Sequence, residues 1–304
     1  MKVIRAAVMG FCMGVRRAVD LARQSALQNT GPGAPPEPDA AGNQRKASRR
    51  IYTLGPLIHN PVVLEDLKNS GITILEENKM PEDAGNAAII IRAHGIPPCT
   101  EAALARQGAL ILDATCPHVK ASQNTARRLS REGFHIFLAG EREHAEIIGI
   151  RGYIDGPCSI VANPAAAHGA ASELAKAGAG AKTALLGQTT ISSEEYQAIG
   201  KAIMRHFPSL KIIDTICGAT RERQNALRVL SAKVDAVVIA GGRDSANTRR
   251  LLSIAEGCGK KAWLVETPGD LPSEIGQYKA VGLCAGASTP DSLIDEIEEI
   301  LFSL

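Results

Sequence analysis

The sequence predicts an α/β fold in which three similar units with parallel sheets surround a common centre. Two observations carry this prediction. Short runs rich in Val, Ile and Leu alternate with amphipathic stretches, as is typical of the strands and helices of α/β proteins. One cysteine-containing pattern also recurs three times along the 304 residues. A chain of this length is long enough for two or three ordinary domains.

The apolar runs are the predicted strands. Continuous apolar runs of this length are typical of strands buried on both faces, and the stretches between them suit the helices that connect parallel strands. Clear examples in chain order are residues 3–9, 87–93, 109–115, 134–140, 211–216, 235–241 and 279–286. Residues 31–49 are instead dense in Pro, Gly and polar residues, which predicts a flexible insertion.

Three cysteines mark the repeat. Cys12, Cys116 and Cys217 each end an apolar run and open an amphipathic stretch with basic residues, and they lie 104 and 101 residues apart. Such a period is far too long for a solenoid, so it predicts three α/β units around a common centre. The first strand is expected to join the last unit. The predicted units are 13–115 (with the insertion), 116–216, and 217–304 together with 1–12.

Polar signatures recur at matching positions inside the units. His144 and Ser245 each follow the cysteine of their unit by 28 residues. His59 follows its cysteine by 47 residues, which becomes the same 28 once the 19 inserted residues are removed. A third signature closes each unit, and its residues are His94, Thr189 with Thr190, and Ser288.

Composition and charge narrow the classes of function. Lys plus Arg number 34 and Asp plus Glu 32, a formal charge of +2, so nothing indicates a nucleic-acid or membrane-surface partner. No apolar run approaches the ~20 residues of a membrane helix. The apolar N-terminal stretch is interrupted by Gly10 and Gly14 and followed by Arg16 and Arg17. This pattern disfavours a signal peptide and predicts a cytoplasmic protein.

The repeated cysteines predict a soft-metal site. Seven cysteines without a C-x-x-C pair argue against a disulfide framework or a zinc ribbon. A single cysteine at a strand–helix junction is most often a small buried hydrophobe, but three at equivalent positions would converge and select zinc or an iron–sulfur cluster. Three protein ligands on a four-iron cluster leave one iron for substrate. The cysteines outside the repeat are interpreted as structural or incidental: Cys99, Cys158, Cys258 and Cys284.

Eight motifs in order carry a family resemblance. GFCMGV, LIHNP, RAHG, DATCP, GQTT, ICGAT, GG-x-x-S-x-N and AGAS span nearly the whole chain. The series resembles the 4-hydroxy-3-methylbut-2-enyl diphosphate reductase family, the iron–sulfur enzymes that end the non-mevalonate isoprenoid pathway. The resemblance implies a pseudo-threefold trefoil of α/β domains around a [4Fe–4S] cluster, held by Cys12, Cys116 and Cys217.

The resemblance also implies a reaction. (E)-4-hydroxy-3-methylbut-2-enyl diphosphate, with its hydroxyl on the open iron, would lose that hydroxyl reductively to give isopentenyl and dimethylallyl diphosphates. A ferredoxin or flavodoxin would supply the electrons. Glu146 and Thr189 match the family's proton relay, and Thr189 would also contact the substrate hydroxyl. The residues matching the diphosphate pocket are His59, His94, His144, Ser245, Asn247 and Ser288.

Two details of the pocket follow from the sequence. His144 and Glu146 are expected on opposite sides of an extended segment. Some members of the family have two adjacent serines where this chain has Ser245 and Ala246, so the resemblance implies one possible hydroxyl contact to the diphosphate fewer here. The remaining histidines lie outside the repeated signatures and are interpreted as ordinary surface or core residues: His118, His135, His168 and His206.

Three alternative functions stay open at this point. A nicotinamide-dependent enzyme is disfavoured because the chain lacks G-x-G-x-x-G. An iron–sulfur sensor or binding module would leave the repeated histidines and Glu146 without a role. A redox-neutral dehydratase would use the cluster as a Lewis acid, and it would differ from a reductase in needing no external electrons.

Overall fold

The computed structural model describes residues 1–29, 49–76, 79–178 and 180–304. Within these ranges the chain forms twelve strands and ten α-helices, and the strands make three four-stranded sheets in which every pair is parallel. The predicted α/β class is confirmed. Apart from Arg49, the insertion expected at 31–49 lies outside the described residues.

The first sheet has the order β3-β2-β4-β5. Its strands are β2 (Arg50–Leu54), β3 (Ile72–Leu75), β4 (Ala87–Ile91) and β5 (Leu110–Asp113). Its helices are α1 (Met13–Asn29) and α2 (Pro61–Asn69) on one face and α3 (Pro98–Arg106) on the other. Ile90 packs under α1 and α2, whereas Ile89 and Ile91 pack on the α3 side. The alternation along β4 explains why a central strand reads as an unbroken apolar run.

The second sheet has the order β7-β6-β8-β9. Its strands are β6 (His135–Ala139), β7 (Cys158–Val161), β8 (Thr183–Gly187) and β9 (Lys211–Ile212). Helices α4 (Pro117–Arg131) and α5 (Ala145–Arg151) cover one face, and α6 (Pro164–Lys176) and α7 (Ser193–Met204) cover the other. Phe137 is fully buried between β6 and the α6–α7 layer. Burying a side chain of this size contributes roughly 2–3 kcal/mol.

The third sheet has the order β1-β12-β10-β11 and contains the first strand of the chain. Its strands are β1 (Lys2–Arg5), β10 (Ala236–Ala240), β11 (Lys261–Val265) and β12 (Ala280–Ala285). Helices α8 (Gly218–Ser231) and α9 (Ala246–Gly257) cover one face, and α10 (Asp291–Ser303) covers the other. β1 pairs with β12 in a register that sets Val3 beside Val281.

The three sheets are built on one plan. The inner strands and one edge strand stand in the same order in each: β2-β4-β5, β6-β8-β9 and β10-β12-β1. Because the carboxyl ends of parallel strands lie at one edge of a sheet, the segments that follow equivalent strands occupy equivalent places. All seven quoted apolar runs overlap one of the twelve strands, although β1 already begins at Lys2 and only Lys211–Ile212 of the run 211–216 is extended. Among the described helices, none combines the length and apolar composition that crossing a membrane requires.

Candidate active site

All eleven residues singled out by the sequence line one cavity of about 100 Å³. They come from segments that follow strands of all three sheets. The structure therefore brings together residues as far apart in sequence as Cys12 and Ser288. The full set is Cys12, His59, His94, Cys116, His144, Glu146, Thr189, Cys217, Ser245, Asn247 and Ser288.

Equivalent backbone hydrogen bonds hold the three cysteines. Each cysteine stands immediately before a helix, namely α1, α4 or α8. Its backbone N–H donates to a carbonyl in the segment after the neighbouring strand of the same sheet. The N···O distances are 3.1 Å from Cys12 to Ala287, 2.9 Å from Cys116 to Ala93, and 3.1 Å from Cys217 to Thr189. The repeat seen in the sequence is thus a repeat of backbone geometry.

The cysteine thiols lie close enough to influence one another. Burial raises the pKa of the Cys116 thiol, the backbone N–H groups of His118 and Val119 oppose that rise, and the charges of Cys12 and Cys217 raise it further. Three neighbouring thiolates therefore repel one another unless a cation neutralises them. A Cβ built on Gly14 would lie 2.6 Å from Sγ of Cys116, so glycine at this position keeps space for that sulfur.

Three histidine rings meet beside one another. Their centroids are 5.2 Å apart for His59 and His94, 5.2 Å for His94 and His144, and 6.1 Å for His59 and His144. One ring nitrogen from each lies within 4.8 Å of the other two, a spacing that a transition metal or an anion could use. Burial lowers the pKa of His94 well below 6.5, and the charges of His144, His59 and Arg92 lower it further. His94 is therefore neutral in this state.

The tautomer of His144 favours an anion over a metal. His144 caps α5, and its Nδ1 accepts the backbone N–H of Glu146 at 3.2 Å. The neutral ring consequently carries its proton on Nε2, which makes Nε2 a donor, whereas a metal would require a lone pair there. The extended segment expected around His144 and Glu146 is wrong. The helix begins at Ala145 because His144 satisfies one of its first N–H groups.

Glu146 and Thr189 form a buried pair. Glu146 is 1% exposed, its Oε1 accepts the backbone N–H of Thr189 at 2.7 Å, and its Oε2 accepts the Thr189 hydroxyl at 2.9 Å. Burial raises the pKa of Glu146 from 4.5 to about 7, against the opposing effect of these two hydrogen bonds. A carboxyl with a pKa near neutrality holds a proton that it can give up, as a general acid must.

Neutral polar groups complete the lining. Ser245 caps α9 by accepting the backbone N–H of Thr248 at 3.3 Å, and the Ser288 hydroxyl donates to the His59 carbonyl at 3.1 Å. In the part of the chain that the structure describes, both amide atoms of Asn247 and Nδ1 of His94 are buried without a hydrogen-bond partner. Buried polar atoms left in this way destabilise the protein, so they indicate a polar ligand.

The lining residues that the sequence analysis did not select include a histidine and an arginine. His118, interpreted there as an ordinary histidine, lines the same cavity. Arg223 is buried, and its guanidinium donates to the carbonyls of Gly10 at 2.7 Å and Ala219 at 2.9 Å, which ties the start of α8 to the loop before Cys12. The sequence analysis noted basic residues on each cysteine helix without identifying which of them is buried. The other three histidines interpreted as ordinary residues do not line the cavity: His135, His168 and His206.

Comparisons with known sequences agree on one family. Residues 37–302 match the family model described as LytB protein. A relative from Treponema denticola, named 4-hydroxy-3-methylbut-2-enyl diphosphate reductase, is 43% identical and is matched over 99% of both chains. A relative of the same name from Aquifex aeolicus is 36% identical over 97% of this chain and 94% of its own.

Solved structures show the same likeness. The E-1-hydroxy-2-methyl-but-2-enyl-4-diphosphate reductase of Plasmodium falciparum has a TM-score of 0.83 and 25% identity, over 98% of this chain and 87% of that one. A second structure is described as (E)-4-hydroxy-3-methyl-but-2-enyl diphosphate reductase, the terminal enzyme of the non-mevalonate pathway. It has a TM-score of 0.68 and 35% identity over the whole of both chains.

Proposed function

This chain belongs to the LytB family, and from that premise we propose that it reduces (E)-4-hydroxy-3-methylbut-2-enyl diphosphate. The substrate takes up two electrons and two protons, loses its hydroxyl as water, and gives isopentenyl and dimethylallyl diphosphates. One observation carries the proposal: a single cavity is lined by three cysteines, three histidines and a buried carboxyl with a pKa of about 7. This combination suits a soft metal cofactor, an anionic substrate and an acid at once.

The cysteines fit a [4Fe–4S] cluster, which we propose as the cofactor. Cys12, Cys116 and Cys217 supply three thiolates, whose mutual repulsion the iron ions would relieve. None of the helices that begin beside them has an acidic residue in its first turn, so their N-termini favour the anionic thiolates. When bound, the cluster would supply electrons and Lewis acidity.

The histidines and neutral donors are proposed to bind the diphosphate. His144 offers Nε2–H, and protonated His94 would offer a charged donor from the buried side of the cavity. Asn247 contributes an amide that has no partner among the described residues. Helices α2 and α9 begin next to His59 and Ser245, so their N-terminal N–H groups also favour a negative ligand.

Glu146 is proposed as the source of the proton that leaves with the hydroxyl. Its carboxyl is within 2.9 Å of the Thr189 hydroxyl, which can accept the carboxyl proton while passing its own proton onward. Thr189 lies in the cavity lining and would contact the departing oxygen. The pair therefore holds its proton away from bulk water, since both Glu146 and Thr189 are buried.

Further parts of the proposal concern organisation and partners. We propose a ferredoxin or flavodoxin as electron donor and a cytoplasmic location. The unit boundaries 13–115, 116–216, and 217–304 with 1–12 are supported by the packing at each cysteine. In each case the strand before the cysteine belongs to one sheet, while the helix after it packs on another.

The proposal is tested by anaerobic turnover. Cluster-reconstituted protein is mixed with reduced methyl viologen and (E)-4-hydroxy-3-methylbut-2-enyl diphosphate, and products are quantified by mass spectrometry against viologen oxidised. Two viologen radicals consumed per isoprenoid diphosphate formed is the expected result. A product that appears without viologen oxidation would indicate the redox-neutral dehydratase. Protein with full iron and sulfide content and no conversion would overturn the reductase assignment.

A further inference from the structure

The cavity wall contains one fixed positive charge. Arg223 is the only lysine or arginine among the described residues that line the cavity, and it is 3% exposed. The other arginines of α8 pair with carboxylates nearer the surface, Arg221 with Asp214 and Arg228 with Glu194. Arg223 forms no ion pair with any acidic residue in the described ranges. A buried charge without a counter-charge destabilises a protein, so this guanidinium indicates an anionic partner inside the cavity.

Arg223 joins the backbone beside two of the three cysteines. Its Nη2 donates to the carbonyl of Gly10 at 2.7 Å, two residues before Cys12. Its Nη1 donates to the carbonyl of Ala219 at 2.9 Å, two residues after Cys217. One planar guanidinium therefore sets the spacing between two cysteine-bearing segments that lie far apart in the sequence. Its Nε–H is buried and has no hydrogen-bond partner within the described part of the chain.

The equivalent positions in the other two units hold small uncharged residues. Arg223 follows the cysteine of its unit by six residues, and the same offset leads to Ala18 in α1 and Ser122 in α4. All three residues are buried. The packing of a cysteine helix on its sheet therefore does not require an arginine at this position. We take the charge to serve the shared cavity instead.

We propose that Arg223 is a positioning residue that raises the reduction potential of the cofactor held by Cys12, Cys116 and Cys217. This inference rests on the [4Fe–4S] cluster proposed above. Three thiolates already bring three negative charges, and each electron taken from an external one-electron donor, which is oxidised, adds another. A fixed positive charge in a wall of low dielectric constant stabilises the reduced form more than the oxidised form. Arginine suits this task because burial does not remove its proton.

Two substitutions separate the charge of Arg223 from its hydrogen bonds. Arg223→Gln removes the charge and keeps an N–H donor, whereas Arg223→Lys keeps the charge and loses the planar fork. The matched control is Arg221→Gln, because Arg221 stands two residues away on α8 and its side chain is 40% exposed. Each protein is loaded with iron and sulfide anaerobically. Its reduction potential is then measured without substrate, by redox titration followed by EPR. Because EPR detects only the loaded fraction, partial loss of iron does not obscure the potential.

Arg223→Gln should lower the potential so that the equilibrium constant for one-electron reduction falls at least ~10-fold, a shift of about 59 mV. A second neutral variant, Arg223→Met, should shift the potential in the same direction. Arg223→Lys should stay within about threefold of wild type, and the control within about twofold because solvent screens an exposed charge. Arg223→Gln and Arg223→Lys should both lose iron to a chelator faster than wild type, since each weakens the hydrogen bonds to Gly10 and Ala219.

An unchanged potential in Arg223→Gln would refute this role, as would an equal shift in Arg223→Lys or in the control. If Arg223→Gln kept the wild-type potential and instead weakened the binding of inorganic diphosphate, Arg223 would belong to the substrate pocket. Failure of the proposed function gives a different result. Loaded wild-type protein would then convert no substrate, while the potentials of the variants would still decide the role of Arg223. Wild-type protein that retains no iron and sulfide would refute the proposed cofactor, and this role of Arg223 with it.

Discussion

Replacing Glu146 by Gln should slow turnover and, at alkaline pH, stabilise the fold. Both effects arise from one feature, a carboxyl that is 1% exposed and has a pKa of about 7 instead of 4.5. Gln has the same shape and retains an oxygen that can accept the Thr189 backbone N–H, now bonded to Oε1 at 2.7 Å. It has no proton to give. The substitution therefore removes the acid and leaves the packing.

The effect on stability can be worked out with its sign. Burial disfavours the charged carboxylate in the folded protein, so the raised pKa contributes stability that is present below pH 4.5 and lost as pH rises through 7. A pKa of about 7 against 4.5 corresponds to about 3 kcal/mol lost by pH 8. Glu146→Gln does not undergo this loss. Its urea midpoint should exceed that of wild type at pH 8, and the excess should shrink towards pH 5.

Turnover should change in the opposite direction. A general acid contributes about 10²–10⁴-fold, so Glu146→Gln should lose at least ~100-fold in kcat with near-normal substrate affinity. Wild-type kcat should fall as pH rises through about 7, because the protonated carboxyl is the donor, and the residual activity of the variant should lack that step. Glu143→Gln is the matched control, since Glu143 is an exposed carboxylate three residues away and should change neither property.

The measurements are anaerobic viologen-linked kinetics, substrate affinity by calorimetry, and urea unfolding followed by circular dichroism. If Glu146→Gln raised only the Michaelis constant, Glu146 would be a positioning residue and the acid role would be lost. If the difference in urea midpoint between wild type and variant stayed constant from pH 5 to pH 8, the raised pKa of Glu146 would be refuted.

The remaining predictions concern the cofactor and the anion. Cys116→Ser should strip most iron from anaerobically purified protein, since serine is a poor soft-metal ligand, while Cys258→Ser, at an exposed cysteine outside the repeat, should leave iron content near normal. Gly14→Ala should also lose iron while retaining its circular dichroism spectrum, because the added methyl would lie 2.6 Å from Sγ of Cys116; unchanged iron would contradict this. When inorganic diphosphate binds, the protein should take up a proton, because the anion raises the depressed pKa of His94. Calorimetry in two buffers of different ionisation enthalpy would detect the proton, and His94→Gln should abolish that share of the uptake.

The sequence predicted the strands and the convergence of the site because both depend on features that repeat. Ile90 lies in an unbroken apolar run because its strand is covered on both faces. Likewise, His144 and Ser245 occur at the same offset because each caps the helix after the first central strand of its sheet. The local conformation of short segments was harder to predict from the sequence. The helix after His144 has only seven residues, too few for a periodic signal, and it was expected to be extended.

The contacts of Arg223 could not be predicted from the sequence either. It stands four residues before Leu227 and seven before Leu230, both of which are buried, so helical periodicity places it on the buried face of α8. Periodicity does not show what its guanidinium contacts. What distinguishes it is the pair of carbonyls of Gly10 and Ala219, and the first of these comes from the opposite end of the chain. A contact of that kind depends on how the third sheet closes with β1, which local sequence does not encode.

The three units contribute different groups to the site because only the cysteine is shared among their equivalent positions. The cysteine occupies the same position in all three units, and each cysteine N–H donates to a carbonyl at an equivalent place. A shared cofactor would need that equivalence.

The residue types at the other site positions differ between the units. Glu146 and Thr189 both follow inner strands of the second sheet, β6 and β8, which are direct neighbours, so the carboxyl and the hydroxyl meet at 2.9 Å. The first and third sheets supply His59, His94 and the neutral donors instead. A proton would therefore reach the substrate from one side only, and a buried acid is kept on a different sheet from most of the groups proposed to hold the diphosphate. In the third unit Asn247 occupies the position equivalent to Glu146, since each follows the cysteine of its unit by 30 residues, and an ionised carboxylate there would have repelled the anion that Ser245 and Asn247 are proposed to bind.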